Sequence, residues 1–123
     1  MKKYVDEEML PTDYIIEQGV SGIWNYEKWL SGKYVCRAVV KENLDYYTIT
    51  NGFYGYHSSK INYPIAFSDT PIMRYNAKVG SGFAIPGGDV QTGLSSCMCY
   101  ALSTYSQASA PCVWEIEVIG RWK

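Results

Sequence analysis

The sequence VWEIEVIGRWK, residues 113–123, closes the chain and decides its fold class. Apolar residues at positions 114, 116 and 118 alternate with Glu115 and Glu117. This period of two is typical of a half-buried antiparallel strand, with apolar side chains on one face and charged side chains on the other. A strand that carries Trp122 next to its last residue needs a docked terminus, against its own sheet or a neighbouring subunit. The ending therefore predicts a packed β module in an assembly.

Two pairs of segments predict hairpins. Ser96 to Tyr105 precedes the closing strand across a polar loop, and we expect it to pair with Val113 to Trp122. Nearer the N terminus, Ile23 to Leu30 and Tyr34 to Val40 alternate on either side of a turn at residues 31–33, which predicts a second hairpin.

Turn residues divide the rest of the chain into short segments. Asn51-Gly52 is the strongest short turn signal, and Pro64 and Pro71 are expected at strand ends because proline cannot donate to a ladder. Phe53 to Ile61 mixes aromatic and small residues without a steady period, which indicates a functional loop. The sequence therefore predicts an all-β fold, an antiparallel sandwich or small barrel of about six to eight short strands without substantial helix.

Length and charge exclude several classes of protein. The 123 residues allow one domain, and we expect a lead-in or linker arm at 1–12 and a β-sandwich at 13–123. The 11 basic and 12 acidic residues, with no basic run longer than Lys2-Lys3, argue against a nucleic-acid partner. No apolar stretch approaches the roughly 20 residues that cross a bilayer, and the acidic start argues against a signal peptide. We therefore expect synthesis in the cytosol and no membrane insertion.

Aromatic residues are the compositional feature that points to a ligand. The chain has 12 Tyr and 4 Trp, and such rings suit sheet cores, subunit interfaces and sugar-binding surfaces alike. The only histidine, His57, lies beside Tyr54 and Tyr56 in the predicted loop. An imidazole can hydrogen-bond a sugar hydroxyl or carboxylate while phenol rings stack on the apolar face of the sugar. We predict these three residues as the ligand-binding site. Weaker candidates for a ligand or a subunit contact are Trp24, Trp29, Tyr75 and Trp122.

Catalytic arrangements are not evident in the sequence. Glu115 and Glu117 share one strand face and point outward, whereas glycoside hydrolysis needs two facing carboxyl groups about 5–9 Å apart. Asp69 and Asp89 lie in turn contexts, where Asp caps its own backbone. A glycan-cleaving enzyme would have to assemble an acid pair from these distant residues and Asp45. We therefore expect a protein that is not an enzyme and has no cofactor.

The four cysteines leave alternatives open. Cys97 and Cys99 share a strand face and Cys112 begins the next strand, so a zinc site or a disulfide from Cys112 is conceivable. Paired zinc ligands usually have two to four residues between them, and these two have one. In a cytosolic product we expect all four, including Cys36, to be free thiols packed as small apolar residues.

Four motifs resemble one family. Residues 13–19 (DYIIEQG) and 21–29 (SGIWNYEKW) resemble the opening of C-terminal head modules in tail-fibre and baseplate proteins of phages that infect Firmicutes and other gut bacteria. Residues 119–123 (IGRWK) resemble their ending. Residues 63–67 (YPIAF), with Pro71 four residues on, are similar to a segment of those heads and of the H-type lectin-like sandwiches that they resemble.

The resemblance covers residues 13–123 and implies a homotrimeric, H-type lectin-like β-sandwich at the tip of a phage or prophage tail appendage. Such a receptor-binding head belongs to the virion and attaches to a cell-surface or cell-wall saccharide of the host bacterium. Residues 41–61 have no counterpart in those heads, and ligand specificity is expected to vary there. The alternative is a structural virion module, a trimerisation cap or decoration protein, in which the Tyr-rich loop is buried between subunits and no glycan binds.

Overall fold

The computed structural model describes residues 13–50, 52–87 and 91–123. Within these ranges the chain forms β-strands and no helix, so none that could cross a membrane, and the predicted all-β antiparallel fold is confirmed. The predicted lead-in at 1–12 lies outside the described residues. The strands are β1 (Ile15–Ser21), β2 (Trp24–Trp29), β3 (Lys33–Leu44), β4 (Tyr47–Thr50), β5 (Phe53–His57), β6 (Ile61–Asn62), β7 (Ile72–Val79), β8 (Ile85–Pro86), β9 (Gln91–Thr92), β10 (Ser96–Met98), β11 (Tyr100–Ser103) and β12 (Ala110–Arg121).

The first layer is a five-stranded sheet in the order β1-β2-β3-β12-β7. Its centre is the pair β3–β12, which runs antiparallel over the full length of both strands, from Lys33 opposite Arg121 to Leu44 opposite Ala110. Along β12 the side chains of Trp114, Ile116 and Val118 are buried while Glu115 is exposed, as the alternation predicts. The predicted pairing of residues 23–30 with 34–40 is also confirmed, because β2 pairs with β3.

The second layer consists of two short antiparallel sheets, ordered β4-β5-β11-β8 and β6-β10-β9. They meet where β5 leads to β6 and β10 leads to β11. There the Ser58 N–H donates to the Cys99 carbonyl at 2.8 Å, and the Cys99 N–H donates to the Ser58 hydroxyl at 2.9 Å. These interruptions divide long extended segments into shorter strands, which is why the structure has more strands than the sequence predicted.

The core lies between the two layers and is rich in aromatic rings. Tyr34 of the first layer packs edge-on against Phe67, with ring centroids 5.2 Å apart, and Trp24 packs against Tyr63 at 5.8 Å. Burial of these large rings removes apolar area from water, which stabilises the domain. The buried hydrophobic cluster also includes Cys36, Ala38, Tyr56, Ile61, Val79, Cys97, Cys99, Ala101, Ala110, Cys112, Trp114, Ile116 and Val118.

The predicted C-terminal hairpin is wrong. β11 pairs with β5 and β8 in the second layer, whereas β12 pairs with β3 and β7 in the first, so the chain changes layers between residues 103 and 110. Alternation identifies which side chains of a strand are buried, but it contains no information about the neighbouring strand. The pattern therefore predicts that both arms are extended but does not predict which strands they pair with.

The predicted functional loop at residues 53–61 is also wrong in part, because residues 53–57 form β5. This strand forms a hairpin with β4, and Gly52, at the turn between them, has a φ of 81° that suits glycine. Asn51 of the turn lies outside the described residues. Gly55 has no side chain and interrupts the aromatic residues of β5. The alternation with a period of two is therefore not evident in the sequence of this strand.

The C-terminal Trp122 docks onto its own sheet. Its backbone N–H donates to the Gly32 carbonyl at 2.8 Å, and its indole N–H donates to the Trp29 carbonyl at 2.9 Å. The sequence left open whether the terminus docks against its own sheet or against a neighbouring subunit. The structure shows docking against its own sheet.

Candidate functional site

The two layers differ sharply in charge. Every strand of the first layer contains at least one Asp, Glu, Lys or Arg. The strands of the second layer contain none of these residues. A solvent-facing sheet usually carries charged side chains, because they keep it soluble and prevent unwanted strand pairing. The second layer, whose strands carry no charged residues, is therefore the candidate binding surface.

The outer side of β4, β5, β11 and β8 presents rings and aliphatic side chains to solvent. The buried ring of Tyr56 marks the inner side of β5, so the neighbouring Phe53 and His57 point outward. Tyr100 lies opposite His57, and Tyr47 lies opposite Gly55, which places their rings on the same side. We call this surface the aromatic face; it is formed by Tyr47, Phe53, Gly55, His57, Ile85, Tyr100 and Leu102.

Three rings form a continuous row across three neighbouring strands of this face. The centroids of Tyr47 and His57 are 5.9 Å apart, and those of His57 and Tyr100 are 5.7 Å apart. Tyr47 is 40 % exposed, His57 is exposed and Tyr100 is half-buried, so a ligand can reach all three. We call these three residues the aromatic row.

Gly55 makes room for the first ring of the row. A Cβ atom at this position would lie 2.6 Å from Cε2 and 2.7 Å from the hydroxyl oxygen of Tyr47. Tyr47 therefore lies flat over the backbone of β5 in a space that a side chain at position 55 would occupy. The glycine is required for this close approach and not for an unusual φ.

Local hydrogen bonds orient the other two rings. His57 Nδ1 lies 3.0 Å from the Ser58 carbonyl oxygen; because a carbonyl only accepts, Nδ1 is the protonated nitrogen, and Nε2 of the neutral ring remains as an acceptor. The backbone of Tyr100 is held by Tyr75 of β7: the Tyr75 hydroxyl donates to the Tyr100 carbonyl at 2.6 Å and accepts from its N–H at 3.1 Å. Burial raises the pKa of Tyr75, which keeps this hydroxyl neutral.

The structure does not bring the three predicted ligand-binding residues together. The ring of Tyr56 is fully buried, and its hydroxyl donates to the Tyr105 carbonyl at 2.7 Å. Tyr54 is half-buried and packs edge-on against Tyr46, with centroids 5.0 Å apart. Neighbouring residues of a strand point to opposite faces, so only His57 lies on the aromatic face.

The predicted site also omitted Tyr47 and Tyr100. They lie 10 residues before and 43 residues after His57 in the printed sequence, and strand pairing alone makes them its neighbours. Gly55 was the available signal, since a glycine inside an aromatic strand often marks the close approach of another group.

The other weaker candidates pack within the sandwich. The Trp24 ring is buried, and its indole N–H donates to the Asn62 carbonyl at 2.7 Å. Trp29 is half-buried beneath the Lys33 ammonium, which lies 4.0 Å from the ring centroid. Together with Trp122, which docks on β2, these rings belong to the first layer and do not reach the aromatic face.

The outer side of the first layer is a polar face. The Arg37 guanidinium pairs with Glu117 at 2.9 Å and with Glu27 at 3.7 Å. Around the exposed Val39, polar side chains from four strands enclose an open depression of about 440 Å³. Besides Val39 and Arg37, the depression is lined by Asn25, Arg74, Asn76, Glu115 and Glu117. Glu115 and Glu117 lie side by side on this outer face, as predicted.

The four thiols lie inside the core. All are buried and free. Burial raises the pKa of Cys36 to about 11 and that of Cys112 to about 11, so both thiols are neutral at pH 7. Within the described ranges, no three His, Cys, Asp or Glu side chains are grouped so that they could hold a metal ion.

Two of the three aspartates that a catalytic acid pair would use accept hydrogen bonds from backbone N–H groups. Asp45 accepts a hydrogen bond from the Ser109 N–H at 2.7 Å, and Asp69 accepts one from the Thr70 N–H at 2.8 Å. The third, Asp89, lies outside the described residues.

Comparisons with protein-family models, with curated proteins and with solved structures find no match to this chain. The resemblance to phage head modules therefore depends on the sequence motifs alone, and the functional argument depends on the chemistry of the aromatic face.

Proposed function

We propose that this chain is a non-catalytic, carbohydrate-binding head of a phage or prophage tail appendage, which attaches the virion to a saccharide on the bacterial surface. The observation that supports this most directly is the aromatic row of Tyr47, His57 and Tyr100 on a face whose strands lack charged residues. The motifs at residues 13–29 and 119–123 support the phage context.

The chemistry of the row suits a sugar. The C–H groups on one side of a pyranose ring form an apolar patch that stacks on an aromatic ring, and its hydroxyls need hydrogen-bond partners at the edge. His57 Nε2 is such an acceptor. A single site of this kind binds in the ~mM range, which corresponds to only about 4 kcal/mol. Three sites in a homotrimer raise the effective affinity by avidity.

Strand β1 is the surface that we assign to the subunit contact. It is an edge strand, so one side of its backbone is unpaired, and all seven of its residues are exposed. Val20 is 71 % exposed and Ile16 is 44 % exposed. An exposed edge with apolar side chains favours pairing with another chain. Pairing between copies of this chain would form the homotrimer that the family resemblance implies.

The experiment measures adhesion of the purified chain to whole bacterial cells and to an array of bacterial glycans. Tyr47→Ala combined with Tyr100→Ala is expected to reduce binding at least tenfold, because two of the three stacking rings are lost. The matched control is Tyr14→Ala, since Tyr14 is 55 % exposed and lies beside the first layer. Equal binding by the double variant and the control would exclude the aromatic face as the binding site.

A structural virion module remains the second candidate, and one observation favours it. Phe53 and Ile85 on the aromatic face are exposed and apolar, and neither can hydrogen-bond a sugar. Such side chains suit contacts between subunits equally well. Light scattering on the same samples distinguishes the two functions: the structural module predicts that the Tyr47→Ala and Tyr100→Ala double variant loses its oligomeric state, whereas the receptor-binding head predicts that it keeps it.

A further inference from the structure

The spacing of the aromatic row indicates a ligand longer than one sugar. Successive centroids are 5.9 and 5.7 Å apart, so the outer two rings are separated by two nearly equal steps. Each step is comparable to the distance between consecutive pyranose rings in an extended glycan. A monosaccharide can cover only one ring, and the other two would stay in water.

The rings of the row are not coplanar. The plane of His57 is inclined by 48° to that of Tyr47 and by 40° to that of Tyr100. The three residues lie on β4, β5 and β11, so each of three neighbouring strands contributes one inclined ring. A flat, ribbon-like glycan presents its sugar faces in parallel planes and can stack on one or two of these rings. A glycan whose successive sugars turn relative to one another can stack on all three.

The face also selects against charge. The strands that form it contain no Asp, Glu, Lys or Arg, so an ionised sugar would lose hydration there without gaining a counter-ion from these strands. Hydrogen bonding at the centre of the row comes from His57 Nε2, which in the neutral ring accepts from a hydroxyl or amide N–H.

From these three observations we infer that the aromatic row binds an uncharged, curved or helical oligosaccharide along at least three consecutive sugars, and not a single terminal sugar. This inference rests on the proposed glycan-binding function and specifies the ligand of the same site. His57 is its central binding residue, because it lies between the two tyrosines.

The test compares two series of glucose oligomers by titration calorimetry with the full chain. The α-1,4-linked series from glucose to maltohexaose is curved, and the β-1,4-linked series from glucose to cellohexaose is flat. Glucose carries C–H groups on both ring faces, so stacking gives weak binding even where glucose is not the natural sugar. We expect Kd to fall roughly tenfold, about 1.4 kcal/mol, between one and three α-linked sugars, and to change less in the β-linked series.

Removal of the central ring provides the second measurement. His57→Ala should weaken the dependence of Kd on chain length, because the central sugar loses its stacking ring and its hydrogen-bond partner, whereas Tyr14→Ala should retain it. Length-independent binding, tighter binding of the flat series, or no binding of either series would each overturn the inference. Adhesion to bacterial cells that is lost in the Tyr47→Ala and Tyr100→Ala double variant would still support the proposed function, so the two failures are distinguishable.

Discussion

The two layers share one core, yet their outer faces have opposite chemistry. The first layer presents charged and amide side chains, among them the Arg37–Glu117 pair at 2.9 Å. The second layer presents tyrosine, histidine and aliphatic side chains on strands without any charged residue. Both faces are built by antiparallel strands with a period of two. Packing of the sandwich therefore constrains the inner residues, whereas the chemistry of the outer residues can differ between the two faces.

The largest expected effect is on the free energy of unfolding, through the core that the two layers share. The pKa values of Cys36 and Cys112 are raised from 9 to about 11 by burial. A raised pKa in the folded state means that the unfolded chain ionises first, so this contribution to stability is complete below pH 9 and is lost between about pH 9 and 11. We expect the free energy of unfolding to fall over this range by on the order of 2 kcal/mol per thiol, measured by urea denaturation under reducing conditions.

Cys112→Ala is the control for this pH dependence. It removes one of the thiols whose pKa is raised by burial, so the fall between pH 9 and 11 should be smaller than in the unmodified chain. An unchanged fall in this variant would show that ionisation of Cys112 does not oppose folding.

The next effect concerns the two edges of the first layer. β7 presents Arg74 and Lys78 along its outer face, which discourages pairing with another strand. In β1 the only charged residue is Glu17, and it is engaged by the Tyr26 hydroxyl at 2.7 Å and by Lys28 at 3.8 Å. We expect Val20→Lys to dissociate the proposed homotrimer, because it places a charge in the exposed edge, and light scattering would show the lower mass. Asn76→Lys on β7 is the matched control. Dissociation by the control alone would move the subunit contact to the opposite edge.

The smallest expected effect is on binding, and it tests the two faces directly. Ile85 on the aromatic face is 50 % exposed and Val39 on the polar face is 52 % exposed. Ile85→Lys should weaken glycan binding by roughly tenfold, about 1.4 kcal/mol, because it places a strongly hydrated charge beside the aromatic row. Val39→Lys should leave the affinity unchanged, although it fills the depression on the other face. The opposite result in calorimetry would place the ligand on the polar face.

The structure separates the residues that the sequence predicts as one ligand-binding site. It places His57 on the exposed aromatic face. Tyr56, adjacent in sequence, was assigned to the same site and is fully buried. Adjacent residues of a strand are close along the chain, but their side chains lie on opposite sides of the sheet.

The sequence alone predicts the all-β class, the buried and exposed residues of β12, and the pairing of β2 with β3. These features are local, because alternation and turn residues act within a few positions of the chain. The folded structure is needed to show that β11 and β12 lie in different layers, and that Tyr47 and Tyr100 flank His57. The neighbours of β11 and β12 are set by pairing between segments distant in sequence, which depends on how the whole core packs and not on the pattern of any single segment.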